Sequence, residues 1–240
     1  MNTATIRTIF AAAVVMLAAS PFTALGAGEI TQPRIIQTEE VKFPLTLEYS
    51  ALTDGDVELA LRIDSTGKLT DALAIAFTHE AFAKQALDAV RRWRYEPARL
   101  NGEPIDIRIN LRIHFATQMR VVTFTPVDTP GSLMRNAGFV EGINMVCAAK
   151  DLDSPLKVLH PATPLHPGRT ANLPHGRTVV DFYIDEQGRA RVPVVTESTH
   201  PAFSFAVVKA LEEWRFAAPK RKGRPAIVRM QQEFVFENGS

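Results

Sequence analysis

The amino-acid sequence predicts an α+β fold of two tandem small domains, each a three-stranded antiparallel sheet packed on one helix in the order strand-strand-helix-strand. Two observations predict it. The chain matches itself without a gap when it is shifted by 121 residues, so that Gly55 falls on Gly176 and Trp93 falls on Trp214. Each copy also changes from alternating apolar residues to helical spacing and back, which is the pattern of strands that flank a helix.

The composition is that of an ordinary globular protein. The 240 residues are 46% hydrophobic and 22% charged, which excludes disorder as the main state of the chain. The 27 lysines and arginines balance 26 aspartates and glutamates, so the formal charge of +1 provides no field for nucleic acid. The single cysteine, Cys147, excludes an internal disulfide framework and a cysteine-based zinc site. We expect no nucleic-acid partner, and no motif calls for a metal, a cofactor or a small-molecule ligand.

Residues 1–27 have the pattern of a secretory signal peptide. A short start containing Arg7 leads into an apolar run from Ile9 to Ala19, which Ser20-Pro21 ends before the small residues around Ala27. The run is shorter than the roughly 20 apolar residues that span a bilayer. The pattern predicts a cleaved signal peptide and a secreted protein, with an uncleaved membrane anchor as the alternative.

In the first copy, two strands come before the helix. Apolar residues alternate with polar ones over residues 56–63, which predicts a half-buried strand. The segment Asp64–Gly67 makes a short turn in which the glycine can take the positive φ of a bulged hairpin. Residues 69–77 return as the second strand, so the two strands form a hairpin.

A helix and a third strand complete each copy. Apolar residues at helical spacing predict a helix over residues 79–94, which Pro97 ends. After a turn, six apolar residues alternate with polar ones from Ile105 to Phe115, so one face of this strand must pack on the helix. The second copy repeats these elements at residues 178–184, 189–196, 203–214 and 226–236. It is less regular, because Gln232 stands where the first copy has Leu111.

These elements divide the chain after the signal peptide into a first domain at residues 35–126, a connector at 127–163 and a second domain at 164–240. One more strand pattern, Val121–Thr125, ends the first domain. If it pairs with the last strand of that domain, it covers the edge there and leaves only the second domain's edge open. Residues 151–174 contain five prolines and are predicted to form a loop or linker.

The end of the first helix carries a motif of a known family. Val90-Arg91-Arg92-Trp93-Arg94-Tyr95-Glu96-Pro97, followed by Asn101-Gly102 and an alternating strand, strongly resembles the C-terminal domain of TonB-like proteins. The second copy resembles a diverged member, and Phe43-Pro44 is similar to the Tyr-Pro that opens the family's domain. The residues of this motif, for which we expect structural roles, are Gly55, Gly67, Trp93, Arg94, Tyr95, Pro97, Gly102, Gly176, Gly188, Trp214, Arg215, Phe216 and Gly223.

The resemblance implies a periplasmic domain with a small antiparallel sheet packed on a helix. In the best-known members this domain grips an outer-membrane transporter, and an extended receptor peptide adds as a strand to the edge of the sheet. The final strand of the domain is the edge used. Carried over to this sequence, the partner-binding residues are Ile105, Ile107, Ile109, Leu111, Ile113, Ala226, Val228, Met230, Gln232 and Phe234.

The resemblance therefore predicts a periplasmic protein-protein interaction module, related to TonB-dependent outer-membrane transport, and not an enzyme. Its partner would be an envelope protein, with an outer-membrane transporter as one candidate. The cleavable N-terminus, the lack of a long proline-rich spacer and the two domains depart from the energy-transducing pattern. Two alternatives remain: a membrane-anchored TonB-type energy transducer, and a structural strand-exchanged homodimer or envelope scaffold.

Other conspicuous residues have simpler interpretations. Trp93 and Trp214 end apolar helical stripes and are expected in the core. His79 and His200 stand before the helices, where a role in the N-terminal loop is expected. The cationic segment Lys220–Arg224 is typical of a solvated hairpin tip, with contact to anionic lipid, peptidoglycan or a carboxylate-bearing partner as the alternative. The chain has no nucleophile elbow, phosphate-binding glycine loop, His-Glu-x-x-His or Cys-x-x-Cys motif.

Overall fold

The structure, a computed structural model, describes residues 30–47, 52–116, 121–126, 143–167 and 175–237. The predicted signal peptide lies outside these residues. Within the part of the chain that the structure describes, no helix is both long enough and apolar enough to cross a membrane.

The described residues of the first domain form antiparallel strands, one α-helix and a short 3-10 helix. Its elements are β1 (Ile30–Thr31), β2 (Arg34–Gln37), a 3-10 helix (Leu45–Leu47), β3 (Asp54–Ile63), β4 (Leu69–Phe77), α1 (Glu80–Val90), β5 (Arg94–Glu96), β6 (Ala98–Leu100), β7 (Glu103–Ile105), β8 (Ile107–Ala116) and β9 (Val121–Pro126). The predicted order strand-strand-helix-strand is present as β3, β4, α1 and β8.

The predicted three-stranded sheet is the centre of a wider one. The connector contributes β10 (Ile143–Asn144), and the main sheet of the first domain has the order β10-β4-β3-β8-β9. Strands β3 and β8 pair antiparallel over their full length, from Asp54 opposite Ala116 to Ile63 opposite Ile107. Strands β9 and β10 extend this sheet at its two sides.

Helix α1 is shorter than the predicted range of residues 79–94, because it ends at Val90. The Tyr95 hydroxyl donates to the carbonyl oxygen of Val90 at 2.9 Å, which pairs a carbonyl that the helix end leaves open. Burial raises the pKa of Tyr95, so the hydroxyl keeps the proton that this bond needs. The chain then continues as β5, which pairs antiparallel with β2.

In its described residues, the second domain repeats this architecture with one α-helix and a four-stranded sheet. Its elements, with those of the connector, are β11 (Val146–Cys147), a 3-10 helix (Ala149–Asp151), β12 (Val158–His160), β13 (Gly176–Ile184), β14 (Ala190–Ser198), α2 (Pro201–Glu213), β15 (Arg215–Phe216), β16 (Lys220–Arg221), β17 (Arg224–Pro225) and β18 (Ile227–Phe236). The sheet order is β11-β18-β13-β14.

Both helices begin at a histidine that caps them. His79 Nδ1 accepts a hydrogen bond from the backbone N–H of Ala81, and His200 Nδ1 accepts one from the N–H of Ala202, each at 3.1 Å. Each bond satisfies one of the N–H groups that a helix leaves without an internal partner. The expected role of these histidines at the N-terminal ends is confirmed.

In each domain the helix covers one face of the sheet, and aromatic rings fill the space between them. The ring centroids of Phe82 and Phe115 are 4.8 Å apart, and Phe203 and Phe236 repeat this contact at 4.6 Å. All four side chains are almost fully buried. Burial of one such side chain contributes roughly 1.5–3 kcal/mol to folding, so this layer is a main source of stability in each domain.

The two tryptophans bind the segment that precedes the main sheet of each domain. Trp93 and Trp214 are 5% and 2% exposed, which confirms that they belong to the core. The indole N–H of Trp93 donates to the carbonyl of Glu39 at 3.0 Å, and that of Trp214 donates to the carbonyl of Ala162 at 2.8 Å.

The connector packs on the second domain. Residues 151–174, predicted to be a loop or linker, include β12, which pairs antiparallel with β15. Cys147, Leu152 and Leu156 contribute to the second core. Cys147 is buried, and burial raises the pKa of its thiol.

The sheet faces opposite the two helices pack against each other. Because side chains alternate along a strand, the residues between the core positions point to this second face. They form one buried cluster across the two domains, made of Ala60, Leu73, Ile75, Tyr183, Val192 and Ile227. The two copies therefore form one unit, a question that the sequence leaves open.

Candidate functional site

The outer edge of β8, the last strand of the first domain, is covered. Strand β9 pairs antiparallel with it, from Ile109 opposite Pro126 to His114 opposite Val121. Strand β3 pairs with the other side of β8. Between Ile109 and His114, β8 therefore has a strand on both sides, and the open question about Val121–Thr125 is answered.

The last strand of the second domain, β18, is open over most of its outer side. Strand β13 pairs with its inner side without interruption. On the outer side, β11 pairs in parallel only with Ile227 and Val228, and the N–H of Ile227 donates to the carbonyl of Met145 at 2.7 Å. Residues 230–236, here named the open edge, have no strand partner on this side among the described residues.

The backbone geometry decides which groups of the open edge face outward. Along a strand, the N–H and C=O of one residue point to the same side, and those of the next residue point to the other. The backbone N–H of Ile227 points outward, toward Met145. The backbone N–H and C=O groups of Gln231, Glu233 and Val235 therefore point outward as well. These three residues can offer backbone donors and acceptors to an added strand.

The side chains predicted to bind a partner lie mostly in the two cores. Ile109, Leu111 and Ile113 are fully buried, and Ile105 and Ile107 are half-buried. Of the predicted residues in the second domain, Met230 is half-buried, and the other four are buried: Ala226, Val228, Gln232 and Phe234. Eight of the ten lie in β8 or β18, whereas Ile105 lies in β7 and Ala226 lies between β17 and β18. Contact with a partner at the open edge would be made by backbone groups.

Gln232 is a polar residue at a core position, and its side chain reaches the open edge. It is 8% exposed, and its Nε2 donates to the carbonyl oxygen of Glu233 at 2.8 Å. This carbonyl is one of the outward-facing acceptors. The amide therefore satisfies one backbone group of the open edge from within the domain.

The sequence model of a family described as Gram-negative bacterial TonB protein C-terminal matches residues 47–117 and 171–237, together more than half of the chain. The chain belongs to the TonB C-terminal family. It is also similar to the solution NMR structure of the TonB C-terminal domain of Pseudomonas aeruginosa, with 30% sequence identity, coverage of 35% of this chain and 88% of that chain, and a TM-score of 0.32. No curated protein matches the chain.

Membership of the TonB C-terminal family ties the chain to TonB-type envelope transport and to protein interaction. Domains of this family are non-enzymatic interaction modules of the envelope, and their partners are envelope proteins such as outer-membrane transporters. The two matched segments confirm the two tandem copies that the internal repeat predicts.

Two of the TonB-family glycines lie where a side chain has no room. A Cβ atom at Gly55 would lie 2.3 Å from the ring of Phe82, and a Cβ atom at Gly176 would lie 2.1 Å from the ring of Phe203. Each glycine lets the first strand pass directly beneath the first aromatic residue of the helix. This close approach gives a physical reason for glycine at both positions of the TonB motif.

The other residues of the TonB motif take strand and turn positions. Tyr95 and Phe216 are buried in β5 and β15, while their neighbours Arg94 and Arg215 are exposed. Pro97 lies between β5 and β6. The hairpin turns hold Gly67, Gly102, Gly188 and Gly223.

Sequence reasoning missed a buried polar cluster between the domains. The carboxylate of Asp181 accepts hydrogen bonds from Arg108 Nη1 at 2.8 Å and from Arg229 Nε at 2.9 Å. The Arg108 guanidinium also lies over the ring of Tyr183, 5.1 Å from its centroid, and burial raises the pKa of this tyrosine. The signal that could have revealed the cluster is an aspartate within an apolar strand, where the first copy has Ala60.

A second polar contact joins equivalent positions of the two copies. The carboxylate of Asp71 accepts hydrogen bonds from Arg191 Nε at 3.1 Å and from the N–H of Val192 at 2.7 Å. Asp71 and Val192 are 121 residues apart, the period of the repeat, so equivalent positions of β4 and β14 meet in the interface between the domains. Val192 has φ of +49°, a strained conformation for a β-branched residue, and the contact holds it there.

The described residues show no metal site. None of their histidine, cysteine, aspartate and glutamate side chains form a group of three or more that could hold a metal ion. His166 packs edge-on against the rings of Phe203 and Phe236, with centroid distances of 5.7 and 5.6 Å. This contact gives His166 a packing role in the second core.

Proposed function

We propose that this protein is a periplasmic protein-protein interaction module that binds an extended segment of an envelope protein by strand addition. The proposed site is the open edge of β18, and the proposed route to the periplasm is secretion with a cleaved signal peptide. The observation that carries the proposal is the difference between the two last strands. Strand β8 already has a neighbour on its outer side, whereas the open edge has none among the described residues.

The open edge suits a peptide that binds through its backbone. The outward groups of Gln231, Glu233 and Val235 have the spacing that an added strand requires. Each hydrogen bond contributes about 0.5–1.5 kcal/mol net, so a segment of about five residues gains a few kcal/mol from its backbone. The side chain of Val235, 42% exposed, adds an apolar contact on the face away from the helix.

Proline at Gln231 is expected to weaken partner capture while the domain stays folded. The N–H of Gln231 points to the open edge, so Gln231→Pro removes a donor that β13 does not use. A photo-crosslinking amino acid at Val235 should form an adduct with an envelope protein in intact cells. Loss of one or two hydrogen bonds should reduce the adduct yield about tenfold, as measured by quantitative mass spectrometry.

The control places the same crosslinker at Phe205, which is 75% exposed on α2 and lies outside the proposed site. Circular dichroism and thermal unfolding establish that the Gln231→Pro variant is folded. An unchanged adduct yield in that folded variant would contradict strand addition. An adduct with the mass of a second copy of this chain would instead indicate the strand-exchanged homodimer.

Replacing Gln232 by leucine is expected to raise both stability and partner capture. Leucine stands at the equivalent position of the first copy, Leu111, and its burial should add about 1–2 kcal/mol to the free energy of unfolding. The change also frees the carbonyl of Glu233, which the Gln232 side chain now occupies. Urea unfolding measures the first effect, and the Val235 adduct yield measures the second. A lower yield in a stabilised variant would refute the idea that Gln232 competes with the partner.

A further inference from the structure

A second exposed surface lies immediately before β18: the hairpin of β16 and β17, here named the cationic hairpin. Four of its six residues are cations, and all four are exposed: Lys220, Arg221, Lys222 and Arg224. Among the described residues, none of these four side chains forms an ion pair or a hydrogen bond. Most other arginines of the two sheets, by contrast, are paired with carboxylates, as Arg62, Arg108, Arg112, Arg177, Arg191 and Arg229 show.

The backbone of the cationic hairpin is fixed, so its side chains project from a rigid support. Lys222 and Gly223 have φ values of +52° and +73°, which is the pattern of a tight hairpin turn. The carboxylate of Asp153 accepts hydrogen bonds from the backbone N–H groups of Lys222 at 2.6 Å and Gly223 at 2.7 Å. Asp153 thus holds the turn through its backbone and leaves the cationic side chains unpaired.

The first copy shows that the fold does not require these charges. The hairpin of β6 and β7 has the same turn, with φ of +53° at Asn101 and +87° at Gly102. Its residues Leu100 and Glu103 stand where the second copy has Arg221 and Arg224. The same backbone conformation therefore forms without a cluster of positive charge. Folding does not explain why the second copy has four cations in this hairpin.

We propose that the cationic hairpin binds a membrane surface that carries anionic lipid headgroups. Long cationic side chains without fixed partners suit a diffuse negative surface, whereas a site for one shaped anion needs donors held in place. The hairpin carries no aromatic or large apolar side chain to insert into the bilayer. The attraction is therefore electrostatic and weakens with salt, because the screening length falls to about 3 Å at 1 M. This role is independent of the open edge.

The test is sedimentation of the purified protein with vesicles of 70% phosphatidylcholine and 30% phosphatidylglycerol, against vesicles of phosphatidylcholine alone. We expect binding only to the anionic vesicles, and release at 0.5 M salt. Neutralising all four cations in K220Q/R221Q/K222Q/R224Q should lower the partition coefficient roughly a hundredfold. The matched control, K42Q/K68Q/K84Q/R91Q, removes the same charge from exposed positions of the first domain. It should change the partition coefficient less than about threefold.

A gain-of-function variant keeps the test decisive if the hairpin variant is unstable. L100K/N101K/E103K gives the first hairpin a similar charge, and it should raise vesicle binding roughly tenfold or more. Equal binding by the wild type and the hairpin variant, or an equal loss in the matched control, would overturn the proposal. Binding to poly-L-glutamate without binding to vesicles would also overturn it and would indicate an acidic protein partner. The Val235 adduct yield reports separately on strand addition.

Discussion

Replacing Gly188 by alanine is expected to destabilise the protein by about 2–5 kcal/mol, from left-handed strain and overpacking together. Gly188 has φ of +77°, and a Cβ atom there would lie 2.1 Å from the carbonyl oxygen of Phe216. That backbone cannot retreat freely, because the N–H of Phe216 donates to the carbonyl of Gly188 at 2.8 Å. The turn and the strand after the helix are thus locked together at a distance that only glycine allows.

Gly223→Ala is the matched control for this experiment. Gly223 has a nearly equal φ of +73°, but a Cβ atom there would meet nothing within 4 Å. Alanine at this position should therefore cost only the left-handed backbone strain, about 1–2 kcal/mol. Urea unfolding followed by tryptophan fluorescence measures both variants. Equal losses of stability would show that β15 moves aside and that the contact with Phe216 does not exclude a side chain.

Removing the Asp181 carboxylate is expected to cost about 3–5 kcal/mol, the usual penalty for leaving a buried charge without its partner. In Asp181→Ala the guanidinium of Arg108 stays in the interface, where its side chain is only 6% exposed. Arg229 loses the same carboxylate. The lost ion pair joins the two domains. We therefore expect the two domains of the variant to unfold in two separate steps, whereas the wild type should unfold in one. Differential scanning calorimetry distinguishes the two patterns.

The control for this second prediction is a carboxylate at the surface. Asp88 pairs with Lys84 and Arg91 on the exposed face of α1, and Asp88→Ala should change stability by less than about 1 kcal/mol. The double variant R108M/D181A also removes the unpaired guanidinium charge of Arg108, so it should recover part of the lost stability. A D181A variant as stable as D88A would contradict the role of this cluster in joining the domains.

Local pattern was enough to predict the elements of each copy. Strict alternation from Ile105 to Phe115 predicted the long last strand, which the structure shows as β8 from Ile107 to Ala116, and the repeat transferred the same fold to the second copy. The predicted end of α1, at residue 94, was wrong for a physical reason. Trp93 continues the helical spacing, but the hydroxyl of Tyr95 closes the helix at Val90, and spacing alone does not reveal a hydrogen bond of this kind.

Local pattern could not reveal which faces and edges meet. Glu58 alternates with core residues like a solvent-facing side chain, yet it is 2% exposed because it lies in the interface between the two domains. In the same way, the pattern of Val121–Thr125 predicted a strand but did not determine which strand it pairs with. Strand pairing depends on contacts between distant segments, so the sequence narrowed the candidate site to two edges and only the structure distinguished them.

The pairing of β9 with β8 has a consequence for stoichiometry. Duplication of a binding domain ordinarily gives two equivalent sites, and two sites on one chain raise the overall affinity for a partner that can reach both. Here the chain itself fills one of the two equivalent positions. Under the proposed function, the duplicated protein is therefore monovalent: it takes one equivalent of a strand-adding ligand, and it gains no avidity from its second copy.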